Sequence, residues 1–96
     1  MIIVIVNHIV KSGMMDQALR RINSNGELMS EIPGYIFRYL IRSNENPAKL
    51  TTFTAWEQEE DFNRWLTFKR TLNEMDDTGM YESSKRELFT VLKGEV

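Results

Sequence analysis

Few residues in this 96-residue chain can transfer a proton, hold a metal or attack a carbonyl. There is a single His, at position 8, with no Cys, no glycine-rich phosphate loop and no helical His-Glu spacing. Disulfides, thiolate nucleophiles, thiolate metal sites and the common zinc motifs are therefore excluded. A Ser-His-Asp hydrolase would have to use His8, and nothing in the sequence orients a Ser beside it. Asp76 and Asp77 are adjacent, so they do not face each other across a cleft as an acid and a base would, and they read as a solvated turn. What remains is a small set of polar groups in apolar settings. Asn7 stands in the most apolar segment, on the side of Ile3, Ile5 and Ile9, where an amide without partners costs about 1 to 3 kcal/mol. It either bonds to local backbone at a strand irregularity or lines a pocket between sheet and helices. His8 then points to the opposite face, toward a dimer partner or solvent. Trp65 is either core or an indole N–H offered to a ligand, and with Asn7 opposite it the two make one polar spot in an apolar cavity. Met15, Ile22, Gly26 and Phe62 are the candidate substrate-binding walls. Met29 and Met75 supply either pliable wall or core filler. Arg38 and Arg42 share one strand face, where they bind an acidic ligand or pair with carboxylates at a subunit edge.

These residues need elements to position them. Ile2 to Val10 is apolar on both alternating sets, the pattern of a strand covered on both faces. Lys11-Ser12-Gly13 turns the chain, with Ser12 or Asp16 as a cap. From Met14 to Ser30, Met15, Ala18, Leu19, Ile22, Gly26 and Met29 fall at helical spacing. Asn23-Ser24-Asn25-Gly26 weakens that helix, and Gly26 on its inward stripe leaves a gap. Ile32-Pro33-Gly34 ends it. Tyr35 to Arg42 is a strand with Tyr35, Phe37, Tyr39 and Ile41 on one face. The loop 43–47 joins it to a returning strand, Lys49 to Trp56. A helix over Gln58 to Phe68 begins in the acidic run Glu57, Glu59, Glu60, Asp61, which suits the positive end of its dipole. Leu72 and Met75 fall on a further helical segment after a kink, Asp76 to Gly79 is a connection, and Lys85 to Lys93 is the last strand.

The order βαββαβ is the split β-α-β arrangement of a ferredoxin-like α+β fold, with a four-stranded antiparallel sheet and both helices on one face. The first strand is apolar on both sides, so the bare sheet face calls for the same face of a second copy. The whole chain, 1–96, reads as one domain. Its 12 basic and 14 acidic residues show no basic concentration, which argues against nucleic acid or an anionic membrane as partner. The opening MIIVIVNHIV lacks the basic start and cleavage site of a signal sequence, and no apolar run approaches the roughly 20 residues of a membrane span. A soluble, cytoplasmic protein is expected.

Asn7 in the first strand, the Pro33-Gly34 turn and the run TAWEQEEDFNRWL together resemble the antibiotic biosynthesis monooxygenase superfamily, small dimeric α+β barrels. The resemblance covers nearly the whole chain. Within it the spacing is similar to that of the heme-degrading monooxygenases, whose catalytic set is an Asn, a Trp and a heme-ligating His. Asn7 and Trp65 match the first two. The ligand would fall one or two turns beyond Trp65, where this chain has Thr67, Phe68, Lys69, Arg70, Thr71, Leu72, Asn73 and Glu74, none of them an imidazole. What the resemblance then implies is the cofactor-independent style of the superfamily. An aromatic or quinol substrate is deprotonated, its anion passes an electron to dioxygen, and the protein desolvates it and stabilises its oxyanion with Asn7 and Trp65. Heme with altered ligation and a non-catalytic ligand-binding or regulatory dimer are the alternatives.

Overall fold

In the computed structural model, which describes residues 1–72 and 77–95, the two-sided apolar run becomes the strand β1, Ile2–Val10. It is an interior strand of one four-stranded sheet. The helix α1 spans Met15–Met29, and the strands β2 (Tyr35–Arg42) and β3 (Lys49–Trp56) form a hairpin. The helix α2 (Glu59–Thr71) and a 3₁₀ turn (Asp77–Met80) lead to the strand β4, Tyr81–Thr90. The sheet order is β2-β3-β1-β4 and every pairing is antiparallel. This is the ferredoxin-like α+β arrangement expected from the element order. The last strand differs from the sequence reading: it starts at Tyr81, not Lys85, and ends at Thr90. Its exposed middle, Glu82 to Glu87, has no apolar alternation to announce it, and pairing with β1 is what extends it. Met75 and Asp76 lie outside the described residues.

Local chemistry accounts for the joints. No side chain caps α1, contrary to the expectation for Ser12 or Asp16, and Met14 holds the N-cap position. At α2 the acidic start is used specifically: the Gln58 N–H donates to Asp61 Oδ2 at 3.1 Å, and Asp61 Oδ1 pairs with Arg64 at 2.8 Å. The Asp61 carboxylate lies over Gly34, in the place a Cβ there would occupy, and Gly34 has φ +94°. Only glycine meets both demands without strain. In the same place a bulge between Tyr35 and Phe37 turns Tyr35 onto the helix side, edge-on to Trp56 at 5.7 Å between ring centroids. Tyr35 therefore does not share a face with Phe37, Tyr39 and Ile41, as simple alternation predicts.

Register decides which residues meet the helices. Val4, Val6 and His8 of β1 stand beside Thr54, Thr52 and Leu50 of β3 and beside Leu88, Arg86 and Ser84 of β4. This face packs against α1 and α2 in two clusters, one around Ile22, Leu50 and Tyr81, the other around Val4, Trp56, Phe62 and Trp65. The opposite face presents Ile3, Ile5, Asn7 and Ile9 with Phe37, Tyr39, Ile41, Phe53 and Phe89. It has no covering layer among the described residues, and Tyr39, Ile41 and Phe89 are 63%, 53% and 42% exposed.

Candidate functional site

The helices do not close fully onto the sheet. Between them lies a cavity of about 320 Å³, within the size range of small-molecule sites. Its apolar walls come from Val4 and Val6 of β1, Ile22 and Met29 of α1, and Phe62, Trp65 and Leu66 of α2. Thr52 and Thr54 of β3 add hydroxyls to its floor, although Thr54 Oγ1 already accepts the Trp56 indole N–H at 3.0 Å. The helix residues arrive by period: Ile22 and Met29 are two turns apart on α1, and Phe62, Trp65 and Leu66 form one stripe of α2.

His8 lines this cavity, which corrects the expectation that it points away from the helices. The imidazole is half-buried, its Nδ1 lies 2.7 Å from Ser84 Oγ, and its ring stacks on Tyr81 at 4.2 Å between centroids with an interplanar angle of 21°. Two cross-strand neighbours thus fix both the position and the rotation of the one side chain whose ordinary pKa is near neutrality.

Asn7 is correspondingly on the other face. Its Oδ1 accepts the Thr51 hydroxyl at 2.7 Å, and it lines a separate depression with Ile5, Lys85, Arg86, Glu87 and Phe89. Asn7 and Trp65 therefore lie on opposite sides of the sheet and share no cavity. The amide oxygen finds its partner in a neighbouring strand's side chain and not in local backbone. Of the other expected wall residues, Ile22 and Phe62 line the cavity beside Trp65, whereas Met15 packs onto the cluster around Leu50 and Tyr81.

Gly26 plays a part the sequence reading did not foresee. The gap it leaves on α1 is filled by the Arg38 guanidinium, which a Cβ at Gly26 would strike, and Arg38 Nη1 donates to the Ile22 carbonyl at 2.8 Å. Arg38 thereby reaches the cavity from β2, the sheet edge, while Arg42 stays exposed and outside it. Sequence reasoning also passed over Lys69, Tyr81, Ser84 and Arg86. Charged residues at exposed spacing carry no signal of a shared cavity, and β1, apolar on both alternating sets, has no phase signal that would have found His8. Among the described residues no group of His, Cys, Asp and Glu is arranged to hold a metal ion.

Comparison with known proteins agrees with this architecture. The antibiotic biosynthesis monooxygenase family profile matches residues 1–69. Solved structures with the same fold include a mutant of SnoaB, a cofactor-independent oxygenase from Streptomyces nogalater, at 13% identity and TM-score 0.79 over 97% of this chain and 94% of that one. They also include a mutant of MhuD with two manganese protoporphyrin IX molecules bound per active site, at 16% identity and TM-score 0.81 over 100% and 99% of the two chains. A conserved protein from Methanosarcina mazei superposes at 18% identity and TM-score 0.80 over 92% and 89%. One curated relative, the uncharacterized membrane protein OtCpg00060 of Ostreococcus tauri, is 40% identical over 52 residues, 54% of this chain. The match spans only 10% of that protein's length, and no helix among the described residues here is long and apolar enough to cross a membrane. The profile match covers most of the chain and the fold agrees throughout it, so the chain belongs to the antibiotic biosynthesis monooxygenase family.

Proposed function

We propose that the chain is a cofactor-independent monooxygenase that oxidises a small aromatic or quinol substrate with dioxygen in the cavity between sheet and helices. The observation that carries this is His8 held by Ser84 and Tyr81 at the edge of a cavity walled by Phe62 and Trp65. In this reading His8 is the general base, a role the sequence by itself did not assign. For Nε2 to accept a proton, Nδ1 must carry one and donate it to Ser84 Oγ, and the 2.7 Å contact suits that tautomer. With an anthrone-type substrate, His8 removes a proton from the acidic methylene or its enol. The resulting anion transfers an electron to dioxygen, the two radicals combine to form a C–O bond, and loss of water leaves a carbonyl. One oxygen atom enters the product and the other leaves in water with the two hydrogens of the methylene. The apolar walls exclude solvent from the anion, and Trp65 stabilises its oxygen.

Heme does not suit the residues present. Thr67 to Thr71, the rest of α2 beyond Leu66, contains no imidazole, and the only imidazole of the chain is on β1, hydrogen-bonded to Ser84 and stacked on Tyr81. The uncovered sheet face supports the remaining part of the reading, a homodimer in which the apolar face of a second copy packs on that of the first.

Oxygen uptake with a panel of anthrones and hydroquinones tests the proposal. A rate in the wild type that falls at least ~100-fold in His8→Gln and survives in Asn7→Ala is expected. Loss in Asn7→Ala with retention in His8→Gln would move the site to the open face. Binding without uptake for every compound would favour a non-catalytic ligand-binding dimer. A saturable Soret shift on titration with hemin would restore the heme reading.

A further inference from the structure

The chain as a whole carries a net charge of −2, with 14 acidic residues, yet the cavity has the opposite character. Among the described residues its lining includes Arg38, Lys69, Lys85 and Arg86 and no Asp or Glu. Arg38 is the one that enters from beneath a helix, placed by Gly26 and by its bond to the Ile22 carbonyl. Arg86 projects from β4 with its guanidinium carbon 5.4 Å from the centroid of Phe62, on the side of the cavity where the aromatic walls are. Neither arginine is in an ion pair among the described residues. Each of the two presents a planar fork suited to a carboxylate, next to an aromatic wall suited to a ring.

We infer that the ligand of this cavity is an aromatic acid, its ring against Phe62 and Trp65 and its carboxylate on Arg38, with Arg86 drawing the anion toward the mouth. The inference rests on the cavity being the substrate site proposed above, and it specifies the substrate class: a carboxylated aromatic or quinol in preference to its neutral counterpart. The cost of desolvating a guanidinium beside an apolar wall is offset only when an anion meets it, so a neutral ligand of the same shape gains less. Like-signed charge around the opening also raises the local concentration of an anionic ligand, and that effect weakens with salt.

The test separates binding from oxidation by using inert probes. Trp65 lies in the cavity wall, so quenching of tryptophan fluorescence reports occupancy by 2-naphthoate or by 2-naphthalenemethanol. The carboxylate is expected to bind at least ~10-fold more tightly than the alcohol in the wild type, with the ratio falling on raising the salt. The ratio should collapse toward one in Arg38→Gln and recover in part in Arg38→Lys, which restores the charge without the fork. Equal affinities of acid and alcohol in the wild type overturn the inference without any variant, as does a preference that survives Arg38→Gln in folded protein. If neutral hydroquinones are oxidised while acid and alcohol bind alike, the substrate class fails and the oxygenase reading stands. If the acid is preferred but no compound takes up oxygen, the oxygenase reading fails and the anionic site stands.

Discussion

Replacing Gly26 by Ala should change sign with the residue at position 38. In an exposed helix the substitution stabilises by ~1 kcal/mol, because glycine sacrifices more backbone entropy on folding than alanine. Here the new Cβ falls on the Arg38 guanidinium. The obstacle is the far end of a flexible side chain, so it can swing away with little steric cost, but it then loses the 2.8 Å bond to the Ile22 carbonyl. A hydrogen bond from a charged donor contributes ~1.5 to 3 kcal/mol, and the lower end applies to a half-buried arginine. Gly26→Ala should therefore destabilise the wild type by ~0.5 to 1 kcal/mol, a fall of roughly 2 to 5 °C in Tm for a domain of this size. In an Arg38→Ala background the guanidinium is gone, and the same change should stabilise by ~1 kcal/mol. The double-mutant cycle thus carries a coupling of ~1.5 to 2 kcal/mol. Thermal and urea unfolding of the four proteins, at one protein concentration so that any dimerisation contributes equally, measures it. Equal effects of Gly26→Ala in both backgrounds would refute the reasoning that glycine is there to admit the arginine.

Gly34→Ala should cost more than ~1 kcal/mol, because φ +94° is unfavourable for alanine and its Cβ would displace the Asp61 carboxylate that caps α2; urea unfolding reads it, and Asp61→Ala should remove part of the penalty. The wild type is expected to be a dimer by light scattering at micromolar concentration, and Tyr39→Lys or Ile41→Asp, on the exposed sheet face, to be a monomer, since a charge there would be buried without a partner. A wild type that is itself monomeric at that concentration would remove the sheet-on-sheet assembly. Ser84→Ala should lower oxygen uptake less than His8→Gln and shift its pH profile, because it releases Nδ1 while leaving the imidazole stacked on Tyr81; an unchanged profile would show that Ser84 does not set the tautomer.

The sequence determined the order of elements and the fold class. Each helix and the hairpin has a hydrophobic period or a Pro-Gly or Asn-Pro break that only one kind of backbone satisfies, and antiparallel neighbours with short connections leave few ways to assemble them. It also determined that Ile22, Phe62 and Trp65 face inward, because a helical stripe has only one apolar side. The phase of β1 was a different matter. With Ile3, Ile5 and Ile9 on one side and Val4, Val6 and Val10 on the other, both faces look equally buried, and a one-residue change of phase exchanges Asn7 for His8. Only the tertiary structure decided it, through the pairing of His8 with Leu50 and Ser84 on the side of the helices. The bulge at Tyr35, the extension of β4 to Tyr81 and the entry of Arg38 into the space at Gly26 were likewise decided by contacts between residues distant in the chain. Periodicity reports how each segment divides between apolar and polar sides, but which side meets which partner is set by the packing of the whole.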